Sequence, residues 1–227
     1  MSTARCNHLI SAAAELLDKA GPAAVTLRDV GRAVGVSHNA PYRHFDSKQD
    51  LLAALLAREL QSVCTEAEAE ESPPSPRALI LVFARWALAY PERFRLMIFH
   101  WPHGNHEDLR LAKHRWHSLF IRAIEIGQAA GTLPTGDPER LSCLIRSTAL
   151  GALQLYLSTG GENTPPPAAI IGDLLGYLAL VAQQEAATVP ALVPGASDSA
   201  VRRSGSKRRS SAGSAVPGLP VPEPRQD

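Results

Sequence analysis

Apolar residues recur at helical spacing in the N-terminal part of the chain. The first stripe predicts a short helix, which Gly21 and the proline after it end because a residue tolerant of positive φ precedes one that cannot continue the ladder. A second helix is predicted after Thr26, which stands three positions before Asp29 as in a capping box, and it ends at Gly35. Ser37 can cap a third helix immediately afterwards. The first stripe consists of Leu9, Ile10, Ala13, Leu16 and Leu17.

The same spacing continues through the longer C-terminal part. A fourth helix is predicted from Ser47 through a run of leucines to the acidic residues 66–71, before a proline-rich break at 72–76. From about residue 188, Pro, Ser, Gly and Arg replace the apolar periodicity, so we expect residues 188–227 to form a disordered tail. Between these segments, helices are predicted around residues 79–90, 94–98, 109–124, 141–156 and 170–181.

Composition favours an all-α fold. Of the 227 residues, 45% are hydrophobic but only 5% are aromatic, and alanine and leucine dominate, which suits helices packed on helices. The net charge is only +1, so contact with nucleic acid has to come from a local patch. Cys6, Cys64 and Cys143 are far apart and form no CxxC pair, which favours free thiols in a reducing cytoplasm. The pattern predicts neither a secretion leader nor a membrane span.

The segment from Thr26 to Phe45 suggests a function. Two short helices joined at Gly35, the second polar on one side, form the arrangement that places a recognition helix in the major groove of DNA. His38 and Asn39 stand in the first turn, where side chains reach base edges, and an asparagine amide can pair bidentately with adenine. The neighbouring polar side chains suit phosphate oxygens. The predicted DNA-binding set is Thr26, Arg28, Ser37, His38, Asn39, Tyr42, Arg43, His44 and Lys48.

A spaced pattern of residues runs through this segment: Gly21, Thr26, Gly35-Val36-Ser37, Tyr42-Arg43-His44-Phe45, Lys48 and Leu51-Leu52. This pattern resembles the signature of TetR-family DNA-binding domains, and the resemblance covers roughly residues 5–60. Pro41 departs from it, since the family commonly has an apolar residue such as leucine there. A missing amide is tolerated near the first turn of a helix, but the ring can tighten or displace the helix.

The resemblance implies an all-α homodimer. Each subunit would have a three-helix DNA-binding domain, a ligand-responsive helical domain, and two C-terminal helices that pair in a four-helix dimer interface. On this plan, the helix-turn-helix domain spans residues 1–47, or extends to about 63, and a ligand-binding and dimerisation domain of about five or six helices spans 48–187. Trp116-His117 is also similar to a TetR subgroup with a Trp-His-Gly motif, although Ser118 replaces the glycine.

The expected function is sequence-specific transcription regulation. The leading hypothesis is a ligand-responsive repressor that binds a pseudo-palindromic operator as a homodimer; the alternative is an activator, or a ligand-independent DNA-binding regulator, of the same fold. A helical enzyme is the third hypothesis, but the sequence offers no nucleophile-base pair, glycine-rich phosphate loop or paired carboxylates. No cofactor is expected. The expected partners are double-stranded DNA, a second copy of the chain and a small apolar ligand.

Two further sets of residues are candidates for binding. At each aromatic position an ordinary core role is the alternative to pocket lining. The pocket candidates are Trp86, Tyr90, Phe94, Met97, Phe99, Trp101, Trp116 and Phe120. The dimer-interface candidates are Leu141, Ile145, Ala149, Ala152, Tyr156, Ile171, Leu175 and Leu178.

Histidines are concentrated at His100, His103, His106, His114 and His117. Imidazoles can ligate zinc, but a proline and a glycine separate the first three and no cysteine lies nearby, so we favour a solvated loop over a metal site. The tail holds a basic cluster at residues 202–209. For this cluster we favour a solubilising extension over a sequence-independent DNA arm.

Overall fold

The computed structural model describes residues 2–37 and 39–188 of the chain. Over these residues it contains eight α-helices and no β-strand, so the predicted all-α fold is confirmed. The predicted tail and its basic cluster lie, apart from residue 188, outside the described residues. The helices are α1 (Ser2–Ala20), α2 (Leu27–Val34), α3 (Lys48–Glu70), α4 (Pro76–Ala89), α5 (Pro91–Phe99), α6 (Glu107–Ala129), α7 (Pro138–Thr159) and α8 (Pro167–Thr188).

The helix ends follow the capping signals of the sequence. The Thr26 hydroxyl accepts a hydrogen bond from the Asp29 amide at 3.1 Å and starts α2. The Ser47 hydroxyl accepts one from the Asp50 amide at 3.2 Å and starts α3. Gly35 ends α2 with φ of 73°, in the left-handed region that glycine enters without a steric penalty.

The first helix is longer than the stripe of apolar residues predicted. It has 19 residues and begins at Ser2, although the apolar stripe begins only at Leu9. The apolar spacing marks the face that is buried, and the preceding polar residues contain neither proline nor glycine to stop the helix. The periodicity therefore located the packed part of α1 and underestimated its length.

Two apolar cores share one helix. Residues of α1 and α2, such as Leu17 and Val30, pack with the first half of α3. Residues of α4, α6 and α7, such as Phe83 and Ile145, pack with its second half. Because α3 carries buried side chains of both cores, the helix-turn-helix and the helical body form one compact unit. None of the helices in the described part of the chain is long and apolar enough to cross a membrane.

Candidate nucleic-acid interface and ligand cavity

The chain between α2 and α3 forms a short turn where a third helix was predicted. Pro41–Arg43 is a 3-10 turn, and the Ala40 amide donates to the Ser37 carbonyl at 2.9 Å. The His44 amide donates to the Pro41 carbonyl at 3.0 Å, again three residues back. The predicted α-helix is therefore wrong over the described residues of this segment. Pro41 has no amide hydrogen to complete an α-helical bond to Ser37, so the tighter pattern prevails.

The turn is packed closely against α2. Pro41 is buried, and a Cβ atom on Gly31 would lie 3.0 Å from its Cγ atom. The Val36 amide donates to the Gly31 carbonyl at 3.0 Å, and the Phe45 ring, 5% exposed, anchors the far end of the turn. Gly31 therefore provides the space that the proline occupies, and together these contacts fix the position of the turn.

The outer side of this turn is polar and exposed. Ser37, Asn39, Tyr42 and Arg43 are all exposed, with 54% of the tyrosine accessible. Their donors and acceptors are therefore available to a partner. His38, the other predicted base reader, lies outside the described residues.

Two predicted phosphate contacts have structural roles within the protein. The Thr26 hydroxyl accepts from the Asp29 amide and donates to the carboxylate of the same residue at 2.6 Å. The Lys48 ammonium donates to the Pro22 carbonyl at 2.6 Å and so connects the start of α3 to the turn that follows α1. His44 is half-buried, whereas Arg28 is exposed. The polar groups of Thr26 and Lys48 are therefore engaged within the protein, whereas the side chains of the exposed turn have no hydrogen-bond partner among the described residues.

A half-enclosed cavity of about 170 Å³ lies in the helical body. Three of the predicted pocket residues, Met97, Trp101 and Trp116, line it. Leu60 and Phe83 also line it, although they were not among the predicted set. Phe83 lies one helical turn before Trp86, so the apolar stripe of α4 was a signal for it. Most of the lining is apolar, as is usual for a small-molecule site.

The remaining pocket candidates lie elsewhere. Phe94 and Phe120 are fully buried in the core. Trp86 is 7% exposed, and its indole donates to the Glu59 carboxylate at 2.9 Å. Tyr90 and Phe99 are exposed at 39% and 57%, beside the ends of α5. Placing these five residues at the pocket is therefore not supported, because apolar spacing does not distinguish a cavity wall from solid core or surface.

The predicted dimer residues lie on the inner side of α7 and α8. Ile145, Ala149, Ile171 and Leu178 are at most 9% exposed within one protomer, and the other four candidates are half-buried. The apolar stripe that the sequence showed most clearly is thus the one that packs within the protomer. Both helices also carry apolar side chains on their outward faces. The outward set is Leu144, Leu155, Tyr177, Leu180 and Val181, each between 42% and 69% exposed.

The clustered histidines contact separate partners. His106 lies 3.2 Å from the Asp50 carboxylate through Nδ1, and its Nε2 lies 2.9 Å from the His103 carbonyl. His117 lies 3.0 Å from the Glu139 carboxylate. Among the residues described, no group of three His, Cys, Asp or Glu side chains is placed to hold a metal ion.

An exposed polar turn follows α2, and α3 joins it to a helical body with an apolar cavity. This combination is typical of helix-turn-helix DNA-binding regulators. Residues 9–55 match the family model of bacterial regulatory proteins of the tetR family. Residues 77–175 match the model of the Tetracyclin repressor-like C-terminal domain. The two segments together make up more than half of the chain. The protein belongs to the TetR family and is a DNA-binding transcription regulator, not an enzyme.

Solved structures share this fold. A protein of unknown function from Rhodococcus sp. RHA1 is 27% identical, with a TM-score of 0.65 over 77% of this chain and 93% of that chain. A tetR family regulator from Shewanella sp. PV-4 is 20% identical, with a TM-score of 0.58 over 75% and 95%. FadR from Bacillus subtilis, in complex with stearoyl-CoA, is 14% identical, with a TM-score of 0.63 over 77% and 98%. The Trp-His-Gly subgroup stays a prediction.

Proposed function

We propose that the protein is a ligand-responsive repressor that binds a pseudo-palindromic operator as a homodimer. Two copies of the exposed turn, held about one duplex turn apart, roughly 34 to 36 Å, would enter successive major grooves. Asn39 and His38 read bases in this proposal, while Tyr42 and Arg43 contact phosphates. The expected site of action is the cytoplasm.

One observation carries the ligand response: α3 extends from the DNA-binding turn to the cavity. The helix begins at the Ser47 cap beside the turn and carries Leu60 on the cavity wall. A second connection runs through the loop after α5. Trp101 of this loop lines the cavity, and His106 at its end contacts Asp50 in the first turn of α3. A ligand that favours a different position of α3 weakens operator binding, and by linkage the operator weakens ligand binding equally.

The outward apolar face of α7 and α8 supports the homodimer. Leu155 and Tyr177 are 56% and 69% exposed in the protomer, and large side chains of this type are rarely left together in water. Gly151 and Gly176 have no neighbour within 4 Å of the position of a Cβ atom, so a partner helix can approach the backbone there. We assign this face to the dimer in place of the inner stripe.

The likeness to Bacillus subtilis FadR adds support for a ligand, since that protein was solved with stearoyl-CoA. The cavity of about 170 Å³ is too small for a long acyl chain, so we propose a smaller ligand for this chain.

Selection of bound duplexes from a random pool tests the proposal. The full chain is expected to enrich one motif with two inverted half-sites, and a reporter under that motif should be repressed until a ligand is supplied. Enrichment of a single half-site would contradict the homodimer. Activation of the reporter, or repression that no compound relieves, would favour the alternative of an activator or a ligand-independent regulator.

A further inference from the structure

The cavity wall combines an apolar surface with two positive charges. Its aromatic and aliphatic part includes Phe83, Met97, Trp101 and Trp116, while Lys113 of α6 and Arg146 of α7 are its charged residues. No aspartate or glutamate lines this cavity among the residues described. The wall therefore offers a ligand both apolar contact and a local positive potential that nothing on the wall balances.

Each cation lies over an aromatic ring. The Lys113 ammonium lies 4.7 Å from the centroid of the Trp101 ring, and the Arg146 guanidinium lies 6.0 Å from that of Phe120. Within residues 2–37 and 39–188, neither cation is in an ion pair.

Neighbouring cations of the same helix differ in this respect. Arg110 pairs with Glu107 at 2.6 Å, and Arg115 pairs with Glu68. Lys113, which lines the cavity, has no carboxylate within ion-pair distance among the described residues, and of the α6 cations it shares this with Arg122, which lies outside the cavity. A carboxylate supplied by a ligand would accept a charge-assisted hydrogen bond from the Lys113 ammonium.

The size of the cavity limits the apolar part of the ligand. Its volume is about 170 Å³, and an engineered apolar cavity of about 150 Å³ in another protein binds benzene. One aromatic ring or a short branched alkyl group therefore fits. The cavity is only partly enclosed, so a polar group can lie where it meets solvent.

Building on the proposed ligand response, we infer that the cavity binds a small amphipathic anion, namely a single ring or short alkyl body with a carboxylate that Lys113 and Arg146 hold. The apolar body lies against Phe83 and Trp116. The two cations select the anion over neutral or positively charged molecules of the same shape. The arrangement thus defines the chemical class of the inducer.

Calorimetric titration of the full chain tests this inference with phenylacetate and its neutral analogue phenylacetamide. Phenylacetate is expected to bind about tenfold or more tightly, and its advantage should shrink as salt rises, because the distinguishing contact is ionic. Lys113→Met and Arg146→Met should each remove most of that preference while leaving phenylacetamide binding unchanged. Arg140→Met, an exposed arginine of the same helix as Arg146 outside the cavity, is the matched control and should keep the preference.

Charge-conserving variants guard against a simple loss of folding. Lys113→Arg and Arg146→Lys should keep a preference for phenylacetate. Equal binding of the two compounds, no binding of phenylacetate at millimolar concentration, or a preference that survives in the Lys113→Met Arg146→Met double variant would each overturn the inference.

A parallel DNA-binding assay separates this inference from the proposed function. Phenylacetate that binds without changing operator affinity would support the anion site and contradict the ligand response. If phenylacetamide binds as tightly as phenylacetate and releases the operator, the result would support the ligand response and contradict the anion site.

Discussion

Arg93 and Asp18 are joined by two hydrogen bonds although they are 75 positions apart in the chain. The guanidinium of Arg93, on α5, donates to the two carboxylate oxygens of Asp18, on α1, at 3.0 and 2.6 Å. It also donates to Glu59 of α3 at 3.0 Å. One side chain thus connects the helix-turn-helix to the helical body.

Removing this side chain should destabilise the whole protein. Glu59 is only 7% exposed, and Arg93→Ala takes away its shorter ion pair, leaving the Trp86 indole and the Arg58 guanidinium at 3.4 Å, so the expected cost is about 2 to 3 kcal/mol. Arg110→Ala is the matched control, because its partner Glu107 is exposed and such surface pairs contribute less than about 1 kcal/mol. Urea unfolding checks both variants. Equal losses would show that the connection contributes no more than a surface pair.

The contact between Gly31 and Pro41 predicts a coupled pair of substitutions. Gly31→Ala places a Cβ atom 3.0 Å from the proline ring and should destabilise by about 1 to 3 kcal/mol through overpacking. Pro41→Ala removes the ring atoms in the way, so the double variant should lose at least about 1 kcal/mol less than the sum of the single losses. Unfolding free energies of the four proteins give this coupling. Strict additivity would mean that the two residues do not touch.

The dimer face predicts an effect on association. Leu155→Glu places a charge on the outward face of α7 and should raise the dimer dissociation constant about a hundredfold or more. Leu111→Glu, on α6, changes a leucine of similar exposure, 49% against 56%, outside α7 and α8 and should leave association unchanged. Sedimentation at several concentrations measures both. If the monomer is unstable, Leu155→Glu should instead lower the melting temperature at every protein concentration. Identical behaviour of the two variants would place the interface elsewhere.

Cys64 predicts a loss of stability at alkaline pH. Burial raises the pKa of this thiol from its ordinary value of 9.0 to about 11. Between these two pH values the folded state keeps a proton that the unfolded state loses. The free energy of unfolding is therefore unaffected by this thiol below pH 9 and falls by roughly 2 to 3 kcal/mol as pH rises to about 11. Cys64→Ala should flatten this fall, whereas Cys143→Ala, at an exposed thiol, should not. If the unfolding free energy fell equally with pH in the wild type, Cys64→Ala and Cys143→Ala, the result would contradict this assignment to Cys64.

Local signals predicted the helix starts and missed the recognition turn. Thr26 and Ser47 cap their helices as the sequence indicates, because capping depends on residues only three positions apart. The turn depends on Pro41, whose effect is decided by a contact with Gly31 ten positions away. The capping signal of Ser37 favoured a regular helix there.

Spacing could also not separate the two apolar sides of α7 and α8. Ile145 and Leu155 have similar hydrophobicity, but the first is fully buried and the second is 56% exposed. Which side packs within the protomer depends on where α4 and α6 lie, and those positions follow from contacts distant in the chain. The same limit explains why Tyr90 and Phe99 were grouped with the residues of the cavity.

The central claim is that the exposed turn after α2 reads DNA sequence. Fluorescence anisotropy at fixed, moderate salt should compare the selected operator with a shuffled duplex, using the wild type, Asn39→Ala, Arg43→Ala and the control Arg140→Ala. The wild type should prefer the operator about a thousandfold or more. Asn39→Ala should reduce that preference about five- to a hundredfold, and Arg43→Ala should weaken both duplexes and lower the salt slope by about one. Equal affinity of the wild type for the two duplexes would contradict the account.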